Sequence, residues 1–431
     1  MGKLKSMSVF VRLNIGARSR FALSLLYFLT AVVDFLAWII TPLFDGRVVT
    51  APFLSDAVLG WVHLATLGWI TMTIMGATFQ LVPVLGGVKL YSERLGYWQY
   101  AFYLPGLILL THGFWLHNPA WLVSGGGLLS LAILLYAYNL LRTFLRIKKW
   151  NVVEVHIATA LGYLLGVLAF GLLLVVNREN PGLLGAGRLE LLAAHAHLAL
   201  VGWVSLTIFG VSYQLVSMFA PAQGYTKRLS WWAYGTLNAG IIALTTGLVG
   251  GWAELGQAGG LLLAIAALIY GMQIAEILRH HSEAVKLAIN IPYTLSAIFF
   301  LYGAIGLGLA RLWGVRVPWL LYGLLILGGW VSLTIVGQLQ RILPFLTWLK
   351  RYQQRPGAVK IGQRRSRAPT LDQMINRSWG WAGLACFNAG LFTTGAGLWL
   401  GLNAPVTAGL ALYSLGALAF LANLIKLWRG A

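Results

Sequence analysis

Residues 60–87 read GWVHLATLGWITMTIMGATFQLVPVLGG, and the chain writes this stretch three times. It returns at 194–221 as AHAHLALVGWVSLTIFGVSYQLVSMFAP and from 321 as LYGLLILGGWVSLTIVGQLQRILPFLTW. Aligned on Gly68, Gly202 and Gly329, the copies share Gly-Trp, then Thr73, Thr207 and Thr334, then Gly76, Gly210 and Gly337. Two copies carry a histidine six residues before the tryptophan, His63 and His197, where the third has Leu324. An apolar stretch of this length, repeated with its small and aromatic residues in register, reads as one membrane-spanning helix used three times.

With 59% hydrophobic and 10% charged side chains over 431 residues, the chain has too little charge to solvate the outside of a soluble globule. Apolar runs near the roughly 20-residue minimum of a span recur along it, about twelve in all. The net charge of +20 would suit a nucleic-acid partner in a soluble protein. Its placement argues otherwise: with the N-terminus inside, 26 of the 31 Lys and Arg fall in inner segments and five outside. That asymmetry is the positive-inside signature, which puts both termini in the cytoplasm and leaves no span-free domain to hold nucleic acid. The single cysteine, Cys386, excludes an internal disulfide and a CxxCH attachment, so any haem is held non-covalently. The first apolar run is too long for a signal peptide and lacks a cleavage site, so it reads as a retained helix.

Residues 1–150 form a first four-helix module. Lys3, Lys5, Arg12, Arg18 and Arg20 make a basic approach suited to anionic headgroups. Helix one follows over about 21–43 with Asp34 inside it, then the quoted stretch, then helices over about 97–117 and 119–145. Residues 151–284 repeat helices two to four at a constant offset of 134: Arg94, Trp98, Tyr100, Gly106 and Tyr136 become Arg228, Trp232, Tyr234, Gly240 and Tyr270. Residues 285–431 form the third module, lengthened by a basic cytoplasmic loop at 349–373 whose expected partner is lipid phosphate. The expected fold is an all-α integral membrane protein, twelve transmembrane helices in three four-helix repeats around a pseudo-threefold axis, together one membrane domain. Helices two, six and ten are expected to be innermost.

Helices two and six carry polar residues at helical spacing, His63, Thr66, Thr73 and Gln80 in one and His197, Thr207 and Gln214 in the other. Steps of three and seven keep these on one side, which lipid cannot face. Helix ten keeps Thr334 and has Arg341 in the place of the glutamines. His195 sits about 200° around the helix from His197, so one ion cannot take both. Register with His63 favours His197 as the ligand, and leaves His195 to bond an interhelical partner. His112 on helix three is a further candidate ligand or supporting donor. Thr66 is close enough in sequence to support His63. Asp34, an intramembrane carboxylate, is a functional candidate, with a protonated Asp bonded to a neighbouring helix as the plain alternative. Glu154 and His156 are expected to snorkel at the cytoplasmic end of helix five, and His117, His280 and His281 to lie at helix ends.

Three four-helix modules, with His63 early in helix two and the ending Leu81, Val82, Pro83, Gly87, resemble subunit I of haem-copper oxidases and nitric oxide reductases. The resemblance implies an axial haem ligand at His63 and a copper ligand at His197 or His195. Other family features are missing: no tyrosine stands four residues after either helix-six histidine, where Val201 and Ala199 follow. Leu324 and Ile326 stand in the region of the family's helix-ten ligands, and His280-His281 lies a helix too late for its paired histidines. A dinuclear oxygen-reducing centre cannot be assembled from these residues, so an oxidoreductase of the haem-copper type is implied without terminal oxidase activity.

The expected function is a divergent member of that family in a bacterial or archaeal cytoplasmic membrane. It would bind haem, or copper, through His63 and His197 for electron transfer or nitric oxide or oxygen chemistry. The sequence does not name an electron donor or partner subunit. The alternative is a cofactor-free transporter, scaffold or assembly partner on the same fold.

Overall fold

The computed structural model describes residues 17–179, 187–283, 286–352 and 368–429, the side chains of 17–20 and 178–179 excepted. The basic residues Lys3, Lys5 and Arg12, the side chains of Arg18 and Arg20, and positions 353–367 of the basic loop lie outside the described residues.

The described residues are almost entirely helical. Its long helices are α1 (Ala17–Phe44), α2 (Asp56–Gly86), α3 (Glu93–Trp115), α4 (Pro119–Phe144), α5 (Val152–Glu179) and α6 (Arg188–Phe219). They continue as α7 (Arg228–Gly250), α8 (Ala253–Arg279), α9 (Asn290–Leu312), α10 (Trp319–Tyr352), α11 (Arg377–Leu400) and α12 (Asn403–Arg429). Among the described residues nine are long and apolar enough to cross a membrane. The three below that measure are α3, α7 and α11, which run 23 or 24 residues but open on charged, Trp-rich turns such as ERLGYWQY and RLSWWAY.

Each of these three forms a tight hairpin with the helix after it, because glycines let the backbones touch. A Cβ at Gly125 would run into the backbone of Leu110, one at Gly259 into Leu244 and one at Gly409 into Thr394. Only glycine permits that approach, which in a bilayer replaces the missing hydrophobic drive with close packing. Exposed tryptophans gather at both ends of the bundle. Trp98, Trp232, Trp379 and Trp381 stand near the starts of α3, α7 and α11, and Trp121, Trp252, Trp313 and Trp399 at the opposite end. Two such belts are what a headgroup boundary on each side selects.

α2, α6 and α10 are the most buried spans, with 56–72% of their central windows enclosed against 17–50% for the other six. α2 runs on through Pro83 and stops at Gly87, whose φ of 62° is left-handed backbone that glycine adopts without strain. Each of the three changes its winding at the same place, becoming a π-helix over Leu64–Thr71, Leu198–Ser205 and Leu324–Ser332. Wide turns of this kind are rare and concentrate at functional positions.

Within those turns the three repeated tryptophans are fully buried and tie the helices into a closed ring. Trp69 Nε1 donates to Ser332 Oγ at 3.0 Å, Trp330 Nε1 to Ser205 Oγ at 3.0 Å, and Trp203 Nε1 to Thr71 Oγ1 at 3.2 Å. The accepting serines donate onward to the carbonyls five residues back, Ser205 to Leu200 at 2.7 Å and Ser332 to Leu327 at 2.6 Å. Thr73, Thr207 and Thr334 each return their hydroxyl to the carbonyl of their own tryptophan at 2.7 Å. Outside the ring α1, α5 and α9 press on glycines of the inner helices. Gly76, Gly210 and Gly337 lie under Tyr27, His156 and Tyr293, and Gly68, Gly202 and Gly329 under Asp34, Tyr163 and Phe300.

Trp330→Phe removes one donor and leaves a cavity in place of part of the indole, so it should cost about 2 kcal/mol or more of stability. Gly337→Ala puts a methyl 2.5 Å from Tyr293 Cβ, and the resulting overpacking should cost about 1–3 kcal/mol. Thermal unfolding of the purified protein in one detergent checks both.

Candidate functional site

The histidines that the repeat singled out stand where the winding changes. His63 is the last residue before the π segment of α2, and His197 the last before that of α6. In each, Nδ1 lies on the carbonyl one turn back, Leu59 O at 2.7 Å for His63 and Ala193 O at 2.8 Å for His197. A carbonyl only accepts, so the proton is on Nδ1 and Nε2 keeps its lone pair. His195 does the same across an interface, with Nδ1 on Val167 O of α5 at 3.1 Å. That is the interhelical bond its register suggested. No hydrogen bond occupies Nε2 of His63, His195 or His197 among the described residues.

His195 interacts electrostatically with His63. All three histidines are half-buried, as is Tyr322 of α10, and Ala193, Ala196 and Ala199 beside them on α6 are partly accessible too.

The remaining expected residues divide. Thr73 and Thr207 are buried, as a polar inward side requires. Thr66 does not support His63: its hydroxyl donates to Val62 O at 2.9 Å, while His63 has taken Leu59 O. A helical threonine finds its own carbonyl four residues back more readily than a neighbour's ring. His112 does not join the site, since it is exposed with Nδ1 on Ile108 O at 2.9 Å. The α3 residue against His63 is instead Phe114, stacked at 5.2 Å and 27°. Gln80 and Gln214 are half-buried, and Gln80 Oε1 has no hydrogen-bond partner. Asp34 packs on Gly68 and its Oδ2 is likewise without a partner, so it is not the interhelically bonded aspartate of the plain reading at that oxygen.

Glu154 and His156 do not snorkel, for both are fully buried. Glu154 Oε2 accepts from the N–H of Asn151 at 3.0 Å, in the manner of a helix-start cap. His156 sits under Gly210 beside the rings of Tyr213 and Tyr234. His156 Nε2 and Tyr213 Oη lack partners within this one cluster. Sequence reading missed it, although buried polar atoms without partners are the usual setting of internal water. His117 pairs with Asp56 at 2.8 Å, and His280 with Glu276 at 3.5 Å, both at helix ends as expected.

Among the described residues no group of three or more His, Cys, Asp or Glu side chains is arranged to hold a metal ion. No protein-family model matches the chain, and no curated protein matches it either.

Brief carbethoxylation followed by mass spectrometry should mark His117 and His280 first, their side chains being 69% and 39% exposed. His156, at 0% exposure, should stay unmodified until the protein unfolds. Early labelling of His156 would contradict the burial described.

Proposed function

We propose that this chain is a haem-binding membrane protein, a divergent relative of haem-copper oxidase subunit I, serving electron transfer or small-gas chemistry such as that of nitric oxide or oxygen. The observation that carries the reading is the trio His63, His195 and His197, each with Nδ1 on a main-chain carbonyl and a free Nε2. Ligating histidines in proteins are oriented in this way. In the proposal His63 of α2 and one histidine of α6 would hold the haem. Repeat register supports His197, and His195, which interacts electrostatically with His63, is the alternative. Bound haem would supply one-electron chemistry, or a site for a diatomic gas where only one of the histidines ligates.

The chain's own contribution is orientation and exclusion. The carbonyls of Leu59 and Val167 fix the proton on Nδ1, so each ring presents a base without first losing a proton. Phe114 holds the plane of His63 by stacking. In the proposal the small side chains of Ala193, Ala196 and Ala199 would let a flat group approach the histidines of α6. Copper at a histidine pair is the less favoured variant of the reading.

In the same proposal the protein has twelve spans in three four-helix modules around a pseudo-threefold axis, with both termini on the cytoplasmic face of a bacterial or archaeal membrane. The closed Trp ring supports the threefold arrangement. The 26-to-5 split of Lys and Arg supports the orientation. The bilayer, with anionic headgroups at the cytoplasmic side, is the expected partner, together with an electron donor.

The absorption spectrum of the purified protein, with haem and metal quantified, is the test. A low-spin Soret band is expected. His63→Ala and His197→Ala should each abolish it, and His195→Ala should leave it. The reverse outcome for the two α6 variants would make His195 the α6 ligand. A protein purified after haem supplementation with neither a Soret band nor stoichiometric copper would leave the cofactor-free transporter or scaffold.

A further inference from the structure

A cavity of about 690 Å³ opens at the end of the bundle where α10 stops and α12 ends, within the size range of ligand sites. Tyr352, Gln373, Trp379, Ile425, Lys426 and Arg429 are among its lining residues. Both charged members are cations. Among the described residues no carboxylate lines it, and the nearest acid in sequence, Asp372, is already held by Arg341 at 2.6 Å. Lys426 spends one proton on Ile375 O at 3.1 Å, which aims the ammonium across the opening and leaves two donors free.

The wall facing these cations is built before any ligand arrives. Trp348 Nε1 holds Pro369 O at 3.0 Å, the N–H of Thr370 is bonded to Gln373 Oε1 at 2.8 Å, and the Arg341 pair anchors Asp372. The opposite side is apolar: Ile425 and Trp379 are 39% and 46% exposed and continue the outer surface of α12 and α11. A site with cations at its head, tryptophan and tyrosine at its rim and an apolar wall running up a spanning helix matches a phospholipid's own order of groups. A soluble phosphate would use the cations and leave that wall wet. The end of the bundle is also the one that carries most of the chain's Lys and Arg, where anionic lipid is attracted.

We propose that this cavity binds the phosphate headgroup of one anionic phospholipid, with Lys426 and Arg429 on the phosphate and an acyl chain along Ile425 and Trp379. The inference rests on the membrane reading and is independent of haem. It narrows a general attraction of basic segments for anionic lipid to one built site.

Native mass spectrometry of the full-length protein, released from detergent with added phosphatidylglycerol or phosphatidylcholine, tests it. Phosphatidylglycerol should bind in preference, with one copy surviving mild activation. Lys426→Gln with Arg429→Gln should weaken that copy about 30-fold, the loss expected for two interfacial cations. The conservative pair Lys426→Arg with Arg429→Lys should retain it, which separates loss of charge from loss of fold. Arg311→Gln, at the opposite end, should change nothing. Equal retention of both lipids, an unchanged preference in the Gln pair, or full displacement by millimolar inorganic phosphate would each overturn the proposal. The Soret band is read on the same samples, and its presence or absence bears on the haem reading alone.

Discussion

Everything in this structure hangs on three indole N–H groups that have nowhere else to go. In hydrocarbon an unpaired donor costs several kcal/mol, so Trp69, Trp203 and Trp330 must each find an acceptor inside the bundle. Each finds it on a different helix, at the hydroxyl two residues beyond that helix's own tryptophan. Because the relation is cyclic, no one of the three helices can rotate or slide without breaking both the bond it gives and the bond it receives. The hydroxyls are aimed by the wide turns, since Ser205 and Ser332 reach carbonyls five residues back, the spacing of a π-helix. Winding, hydroxyl and indole therefore specify one another. The glycines then allow α1, α5 and α9 close enough to seal the ring from outside.

The same wide turns decide what the histidines can do. They lie between the ring and His63 or His197, so the upper part of α2 and α6 is turned relative to the lower part. A line drawn from His63 through Thr66 to Thr73 and Gln80 assumes a regular helix, and the π segment breaks that line. This is why Thr73 and Thr207 are sealed in the packed layer while His63 and His197 keep accessible surface.

Helices, their order and the identity of the inner three were legible in the sequence, because apolar length and an offset of 134 between shared residues survive any detail of packing. The ring was half legible. Its Gly-Trp marker stood out, but the bonds it makes span 125, 132 and 263 residues, and no local pattern names an acceptor so far away. Thr66 and Glu154 were misread for a common reason: a polar side chain in a span was assigned to solvent or ligand when a main-chain group of its own helix start or turn was nearer. The cluster at His156 escaped because α5 follows a different spacing. Tyr27 and Asp34 correspond by their inner-helix glycines to His156 and Tyr163, an offset of 129, so the offset that aligned the other helices passed over it. Tyr27 there donates to Gly96 O and Gln99 Oε1, and Tyr293 to Gly380 O, while His156 Nε2 has no partner.

α10 is the internal control for the site. It keeps the tryptophan, the hydroxyl two residues on, the threonine and the glycine, and its wide turn begins at Leu324 as the others begin just after a histidine. Whatever the fold requires of an inner helix is therefore satisfied without an imidazole. Subtracting α10 from α2 and α6 leaves His63 and His197, with His195 added on α6, as residues the framework does not ask for. Each buries a polar ring in an apolar span, a cost that α10 avoids with leucine. Packing gives no reason to bear it twice at the same position, and the proposed ligation rests on that difference.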